Sequence, residues 1–431
     1  MPDEPDRPSA LDDIRVLDIS GEMGLYCTKL LADLGADVIQ VEPPGGHPAR
    51  RIGPFYHDET DAEKSLYFWN LTTSKRSITL NLEDSDGRDL FGRLVRTADV
   101  VVETFPPGYL DRLALGYEGL CRIKPDIILT SITGFGQWGP HAHYLAPDIV
   151  GAAMSGVMWL AGFLEDPPNL PYGQQGYLSA SIQAAAGTVM ALYHRDLTGE
   201  GQQVEVSMQE ALSISQETAM QTWDMRNEMR VRQGVGRLGV RVPGIGPYEC
   251  TDGWVYCFVG TPGGAPWSEL LAWMIEEGKA EDLEQEPHKS MAENISMPFL
   301  TSIMLEPETA AEKLSKLAHV HEVLERFIAS KSKWDVYQEG QSRRLLIGIA
   351  STPEDLVRNP QLNFRGYYRE VHHPELADTP RYPGPPYVLS ETPAALRRRP
   401  PLIGEHNEEV YCGGLSLTHQ EFAALYGTGV I

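Results

Sequence analysis

Positive charge is scarce in this 431-residue sequence. Against 60 Asp and Glu it carries 36 Lys and Arg, a net charge of −24. A surface that tracks phosphates needs a basic face, so no nucleic acid partner is expected. An anionic small molecule needs only a local basic pocket and is not excluded. Cysteine is sparse too. The five, at positions 27, 121, 250, 257 and 412, are scattered, odd in number and never spaced as Cys-x-x-Cys. Neither a disulfide framework nor a zinc site is expected, no metal-ligand spacing is visible, and a reduced, cytoplasmic compartment fits best. No run of 18 apolar residues occurs, so no membrane span is expected. The opening MPDEPDRPSALDD is acidic and proline-rich, without the apolar core of a signal peptide.

What is present is alternation. Residues 14–19 are a short apolar run read as a strand, 26–34 as a helix and 36–42 as a second strand, which makes a right-handed βαβ unit. Strands at 77–82, 99–103 and 127–132 alternate with helices at 85–98 and 110–123, the pattern of a doubly wound α/β layer. Small residues dominate 149–163 and a helix at 178–194. A short strand at 203–206 leads into a helix at 208–225. The charged, Gly-rich segment 226–241 is expected to be a linker. A smaller domain follows at 242–340, opening on a hairpin at Asp252-Gly253 and continuing in acidic helices at 268–284 and 307–330. Residues 1–225 are the N-terminal part of a large domain, and 341–431 return to it through a Pro- and Arg-rich tail.

The first βαβ unit invites a dinucleotide reading, because Glu42 ends the second strand about where a ribose-binding acid would stand. The turn after strand 1 argues against it. It reads Gly21-x-x-Gly24 rather than Gly-x-Gly-x-x-Gly, and Glu22 would repel a pyrophosphate. A scaffold role for Glu42 is the better expectation.

Several separated segments point elsewhere. LDDIRVLDIS and LLADLGADVIQVEPPGG near the N-terminus, TSKRSITLNL at 73–82, ADVVVETFPPGYLDRLALGYEGL at 98–120, SITGFGQWGP at 131–140, TGEGQQVEVSMQEA at 198–211 and the C-terminal TPEDLVRNPQLNFRGYY and PPLIGEHNEEV occur in one order. Together they span nearly the whole chain and resemble the class III CoA-transferase family, which includes formyl-CoA and carnitine CoA-transferases and 2-methylacyl-CoA racemases. The resemblance implies a Rossmann-like large domain built from both chain ends, an inserted small domain and an interlocked homodimer. It also implies an acyl-CoA and a small carboxylic acid as substrates, with no covalently bound cofactor. Coenzyme A contacts fall by resemblance on Lys75, Arg76, Arg112 and Leu113, with Arg50 and Arg51 adding charge. Paired cationic donors suit a pyrophosphate and a 3′-phosphate. Thr261-Pro262-Gly263-Gly264 resembles the family's mobile glycine loop, and its glycines would permit the movement of a lid.

Two departures bear on chemistry. The family's acyl-accepting aspartate falls on Tyr177, and only a carboxylate gives the mixed anhydride of the family's transfer. The racemase branch's histidine falls on Ala146, beside Asp148, with His141 and His143 nearby in sequence. Glu22, at the end of strand 1, aligns with a position lining the family's site. It is the candidate to be acylated itself, or to act as general base with Tyr177 donating to an enolate or oxyanion; as a structural alternative it caps the next helix. The expected activity is therefore CoA transfer using Glu22. The alternatives are a lyase, isomerase or hydratase/dehydratase built on Glu22 and Tyr177, or a non-catalytic acyl-CoA-binding homologue.

Overall fold

A computed structural model of the chain describes residues 8–232, 241–296, 298–299 and 307–431. They fall into two compact units. The first takes residues 8–159, 170–229 and 361–431 and the second 160–169, 230–232 and the described part of 241–360. Of the expected linker at 226–241, residues 233–240 lie outside the described residues.

The first unit is built on a six-stranded parallel sheet: β1 Arg15–Asp18, β2 Asp37–Glu42, β3 Arg76–Thr79, β4 Val100–Glu103, β5 Ile128–Thr133 and β6 Gln203–Ser207. Their order is β3-β2-β1-β4-β5-β6. Each strand is a short apolar run because both faces are covered. Val16, Val38, Val100, Val102 and Ile128 point into one core layer, Leu17, Ile39, Val101 and Leu129 into the other. Among the helices are α1 Leu25–Asp33, α2 Leu66–Thr72, α3 Ser85–Val95, α4 Tyr109–Arg112, α5 Tyr117–Ile123, α6 Asp148–Met154, α7 Val157–Leu160, α8 Gln175–Thr198, α9 Met208–Ser213 and α10 Ala219–Arg226.

Two helices expected to be continuous are broken. The 110–123 helix divides at Ala114, whose φ of +58° is left-handed, and the 208–225 helix divides at Glu217, with φ +51°. A non-glycine residue at positive φ cannot continue a right-handed helix. Hydrophobic periodicity survives such a break, so the sequence does not announce it.

The second unit has an antiparallel sheet of β7 Ile245–Cys250, β8 Gly253–Phe258 and β9 Ile347–Ile349, with α11 Trp267–Glu276, α12 His288–Glu293, α13 Pro307–Ala329 and α14 Lys333–Ser342. The hairpin is where it was expected, with Thr251-Asp252 as its two-residue loop and Cys250 opposite Gly253. Tyr248, Trp267, Trp273 and Phe327 fill its core. The expected return to the first unit at 341 needs correction. β9 pairs with β8, Tyr256 standing opposite Gly348, and this holds the chain in the second unit until 360. Residues 160–169 also belong there, where Arg232 donates to the carbonyls of Phe163 (2.8 Å) and Asp166 (2.8 Å). No helix among the described residues is long and apolar enough to cross a membrane.

Candidate active site

In a sheet ordered 3-2-1-4-5-6 the chain reverses direction between β1 and β4, and the crevice beyond their C-terminal ends is where open α/β sheets bind ligands. Here the two loops are joined at that point. The Gly21 amide, after β1, donates to Thr104 Oγ1, after β4, at 2.6 Å. Glu22 follows at once, opening a one-turn 3-10 helix, Glu22–Gly24, that has no side-chain cap. Ser181 of α8 ties this turn down by donating to the Met23 carbonyl at 2.6 Å.

The N-terminus of α8 is satisfied by Asp148. Its Oδ1 accepts from the amides of Gly176 (2.7 Å) and Tyr177 (3.0 Å), two of the donors that a helix start leaves unpaired. A Cβ at 176 would stand 2.9 Å from that same oxygen, so a larger residue there would push the Asp148 cap aside. This capping fixes Tyr177 in the first turn of α8, half-buried.

Glu22 and Tyr177 come together. Burial, and then the Glu22 charge, raise the Tyr177 phenol above its ordinary pKa, with the Asp148 backbone acting the other way. Tyr67, on α2, is pushed up by burial, then by the Glu22 charge and a side-chain interaction with Glu22, and its hydroxyl donates to Gln174 Oε1 at 2.8 Å. Both phenols therefore stay protonated as donors, and neither is poised as a nucleophile. Glu22 Oε1 is buried and has no hydrogen-bond partner among the described residues. An orphaned buried acceptor costs roughly 1–3 kcal/mol. Such groups persist where function holds them.

The expected coenzyme A contacts divide into two sets. Lys75 is fully buried, and its ammonium donates to Asp18 Oδ2 (3.0 Å), Thr28 Oγ1 (2.7 Å) and the Leu25 carbonyl (3.0 Å). All three of its protons are committed to the protein interior, so the expectation that it meets a phosphate is corrected. Arg50 is equally committed. It grips both Glu42 oxygens at 2.7 Å, donates to Glu63 and the Pro401 carbonyl at 2.8 Å, and lies 4.0 Å from the Phe68 ring centroid. Glu42 is thus the scaffold acid expected of it. Arg76 holds Asp37 through two bonds (2.9 and 2.6 Å) and Glu409 through a third. These three cations staple the sheet's β3-β2-β1 side. A local pattern shows that a cation is present but not that buried acids already occupy it.

Arg51, Arg112 and Leu113 remain at the surface. The Arg112 side chain is 66% exposed, its guanidinium carbon 5.0 Å from the Tyr109 ring centroid and its Nη2 3.5 Å from Glu83 Oε1. Tyr109 in turn stacks on Phe105, centroids 4.4 Å apart. The loop after β4 thus presents aromatic rings, a half-buried Leu113 and one guanidinium. The left-handed Gly108 (φ +82°) makes the turn that starts α4.

The sequence reading missed Glu103, the last residue of β4. It is 4% exposed, accepts from the Phe105 amide at 2.6 Å and stands in register opposite Ser131. Burial pushes its pKa up to about 7, against the hydrogen bonds from Ser131 and Phe105. The available signal was an acid ending an apolar strand at the reversal point. His141 packs against Phe135 and Tyr144, with centroids 5.7 and 4.9 Å away, and His143 is exposed. Gly263 and Gly264 lie in the second unit between β8 and α11. Gly263 has φ +99° and open space about it, whereas a Cβ on Gly264 would come within 2.7 Å of Leu346.

Comparison with known proteins gives this geometry its family. The model of CoA-transferase family III matches residues 11–407, and the chain belongs to that family. The chain is 36% identical over 403 residues to a succinyl-CoA:(R)-benzylsuccinate CoA-transferase subunit of Thauera aromatica, covering 93% of each. It is 33% identical over 443 aligned residues to the formyl-CoA:oxalate CoA-transferase of Streptomyces coelicolor, covering 98% of this chain and 99% of that one. The crystal structure of a CAIB/BAIF family protein from Brucella suis shares the fold, with TM-score 0.79 and 24% identity over 94% of this chain and 100% of that one. The family's chemistry is CoA transfer, so coenzyme A thioesters are its substrates.

Proposed function

We propose that this chain transfers CoA from an acyl-CoA to a carboxylic acid, with Glu22 as the carboxylate that takes the acyl group. The observation that carries this reading is the buried, unpartnered Glu22 oxygen between two protonated phenols at the strand reversal. The Glu22 carboxylate attacks the thioester carbonyl; the C–S bond breaks and CoA leaves as thiolate, giving a mixed anhydride. The thiolate then attacks the glutamyl carbonyl, releasing the first acid and leaving a Glu22–CoA thioester. The acceptor carboxylate attacks that thioester and frees CoA again. Attack of the thiolate on the acceptor's carbonyl completes the new acyl-CoA and restores Glu22. Tyr177 and Tyr67 donate to the carbonyl oxygen as it gains charge. Arg112, Leu113 and the Phe105–Tyr109 pair take the nucleotide end of CoA.

A different use of the fold is favoured by Tyr177 itself. The Thauera relative is named as a subunit, and a chain without the usual aspartate suits the non-catalytic half of a two-chain enzyme. Helix α8 exposes Ile182, Met190, Tyr193 and Leu197, an apolar stripe that a second copy or a related chain would cover. The base chemistry of a lyase or isomerase would use the same Glu22 and Tyr177.

Mass spectrometry decides among these. The purified chain is incubated in deuterated water with a panel of acyl-CoAs and free acids, then digested. New acyl-CoAs matching the added acids, with a CoA or acyl adduct on the Glu22 peptide that Glu22→Gln abolishes, support transfer. Deuterium at the α-carbon without transfer favours base chemistry. Tight acyl-CoA binding with no turnover, unchanged in Glu22→Gln, favours the non-catalytic subunit.

A further inference from the structure

The second unit holds a group of side chains that transfer chemistry does not use. Asp282 sits in a 3-10 turn, Glu281–Glu284; His288 opens α12; His319 lies on α13. His319 comes from a different helix, well after Asp282 and His288 in sequence, and no ligand spacing was visible there, yet one donor atom from each lies within 4.8 Å of the other two. His319 Nε2 is 2.8 and 3.0 Å from the two Asp282 oxygens. His288 Nε2 is 3.6 Å from Asp282 Oδ2, and the two imidazole centroids are 4.7 Å apart. At 3.6 Å the second imidazole is beyond hydrogen-bonding range of the carboxylate it faces. Its other nitrogen, Nδ1, is buried without a hydrogen-bond partner among the described residues.

The carboxylate and the two imidazoles thus direct three donor atoms at one small space. The geometry points to Asp282, His288 and His319 as a binding site for one borderline divalent cation of the zinc class. Two imidazole nitrogens and one carboxylate select Zn²⁺, Co²⁺ or Ni²⁺ over Mg²⁺ or Ca²⁺, which want oxygen donors. Bonds to zinc near 2.0–2.2 Å require neighbouring donor atoms about 3.3 Å apart, and the Asp282 Oδ2 contacts at 3.0 Å (His319) and 3.6 Å (His288) bracket that spacing. The site is partly open, with Asp282 side-chain exposure 47%, His288 26% and His319 34%. Three protein ligands therefore leave a position for water. Binding replaces the proton shared by His319 and Asp282 and ties the 3-10 turn, α12 and α13 together, so the ion acts as a staple of this unit.

The test uses the full chain after treatment with a chelator that is then removed. Co²⁺ is titrated while the visible absorption of tetrahedral cobalt is followed, and Zn²⁺ is titrated by calorimetry. The expected result is one ion per chain, with a rise in the melting temperature. His288→Asn and His319→Gln are each expected to weaken binding by about tenfold or more. His419→Asn, changing an 82% exposed histidine elsewhere, is expected to leave it unchanged. Asp282→Asn retains the fold through its remaining contacts and gives a further, independent loss of affinity. Absence of stoichiometric binding, or equal binding in His288→Asn, His319→Gln and the unaltered chain, overturns the assignment.

Discussion

Replacing Lys75 by methionine separates a structural cation from a ligand-binding one. The ammonium is fully buried, and so is its partner Asp18. Asp18 accepts four bonds: the Ser20 amide (3.0 Å), the Ser20 hydroxyl (2.6 Å), the Thr28 hydroxyl (2.6 Å) and Lys75 (3.0 Å). Only the last brings a compensating charge. Lys75→Met keeps the volume of the stem, leaves Asp18 as a lone buried carboxylate and strips a donor from the Leu25 carbonyl. Breaking a buried pair in this way costs about 3–5 kcal/mol, on the order of 10 °C in the melting of a unit this size. Chemical denaturation followed by tryptophan fluorescence measures the loss, and acyl-CoA kinetics are run below the transition. We expect the KM for acyl-CoA to stay within about twofold, and Lys75→Met with Asp18→Asn to recover more than half the stability. A stable Lys75→Met protein with a tenfold higher KM would refute this and return Lys75 to the phosphates.

Other outcomes follow from the same geometry. Arg112→Ala removes an exposed guanidinium, so stability should move by no more than about 0.5 kcal/mol. The KM for acyl-CoA should rise about tenfold with kcat little changed, and the difference should shrink in high salt. Glu103 is an acid whose folded pKa, about 7, exceeds its value in the unfolded chain. The folded state therefore holds the proton more tightly, and stability falls as pH rises from about 4.5 through 7. Glu103→Gln, which mimics the protonated acid, should flatten that fall, worth on the order of 3 kcal/mol; an unchanged slope in urea denaturation against pH would exclude the burial argument. Tyr177→Asp should create or raise CoA transfer, measured by acyl-CoA exchange, if the pocket still accepts both acids. Tyr177→Phe keeps the packing and should lower any Glu22-dependent turnover about tenfold through the lost donor.

Much of the first unit was legible because its strands are buried on both faces. A four-residue run such as Val100–Glu103 has no other stable use, and alternation with helices then leaves a parallel sheet. The breaks at Ala114 and Glu217 were not legible, since a single positive φ is set by the packing on either side. The return to the first unit was misplaced because β9 is three residues long, too short to show a period. At the candidate site, the sequence pointed to Glu22 from its place at the end of strand 1 and to Tyr177 from the family resemblance. It misassigned Lys75 and Arg50 for a physical reason. A cation's partner is fixed by tertiary contacts, and Asp18 and Glu42 lie on strands whose pairing decides which lysine or arginine reaches them. Glu103 was passed over, because an acid ending an apolar strand does not show that burial will raise its pKa.

The position of the carboxylate decides how the tyrosine at the start of α8 is understood. An acid in the first turn of α8 would sit at the positive end of a 24-residue helix, where the dipole favours its anion. In this chain Asp148 takes the Gly176 and Tyr177 amides of that end, and the negative charge facing the crevice comes from Glu22, one strand end away. A carboxylate there faces phenols rather than the helix amides. That placement suits an acyl acceptor, and it suits a general base equally. What separates the two is where the substrate carbon lies. Attack on the carbonyl requires the thioester to reach Glu22 past the two phenols. Tyr67 is bonded to Gln174, three residues before Tyr177, so movement of that loop would open both sides of the carboxylate at once. A Gln174→Ala protein should then bind acyl-CoA faster and turn it over without a change in product, whereas a general base acting inside a closed pocket would lose both rate and selectivity.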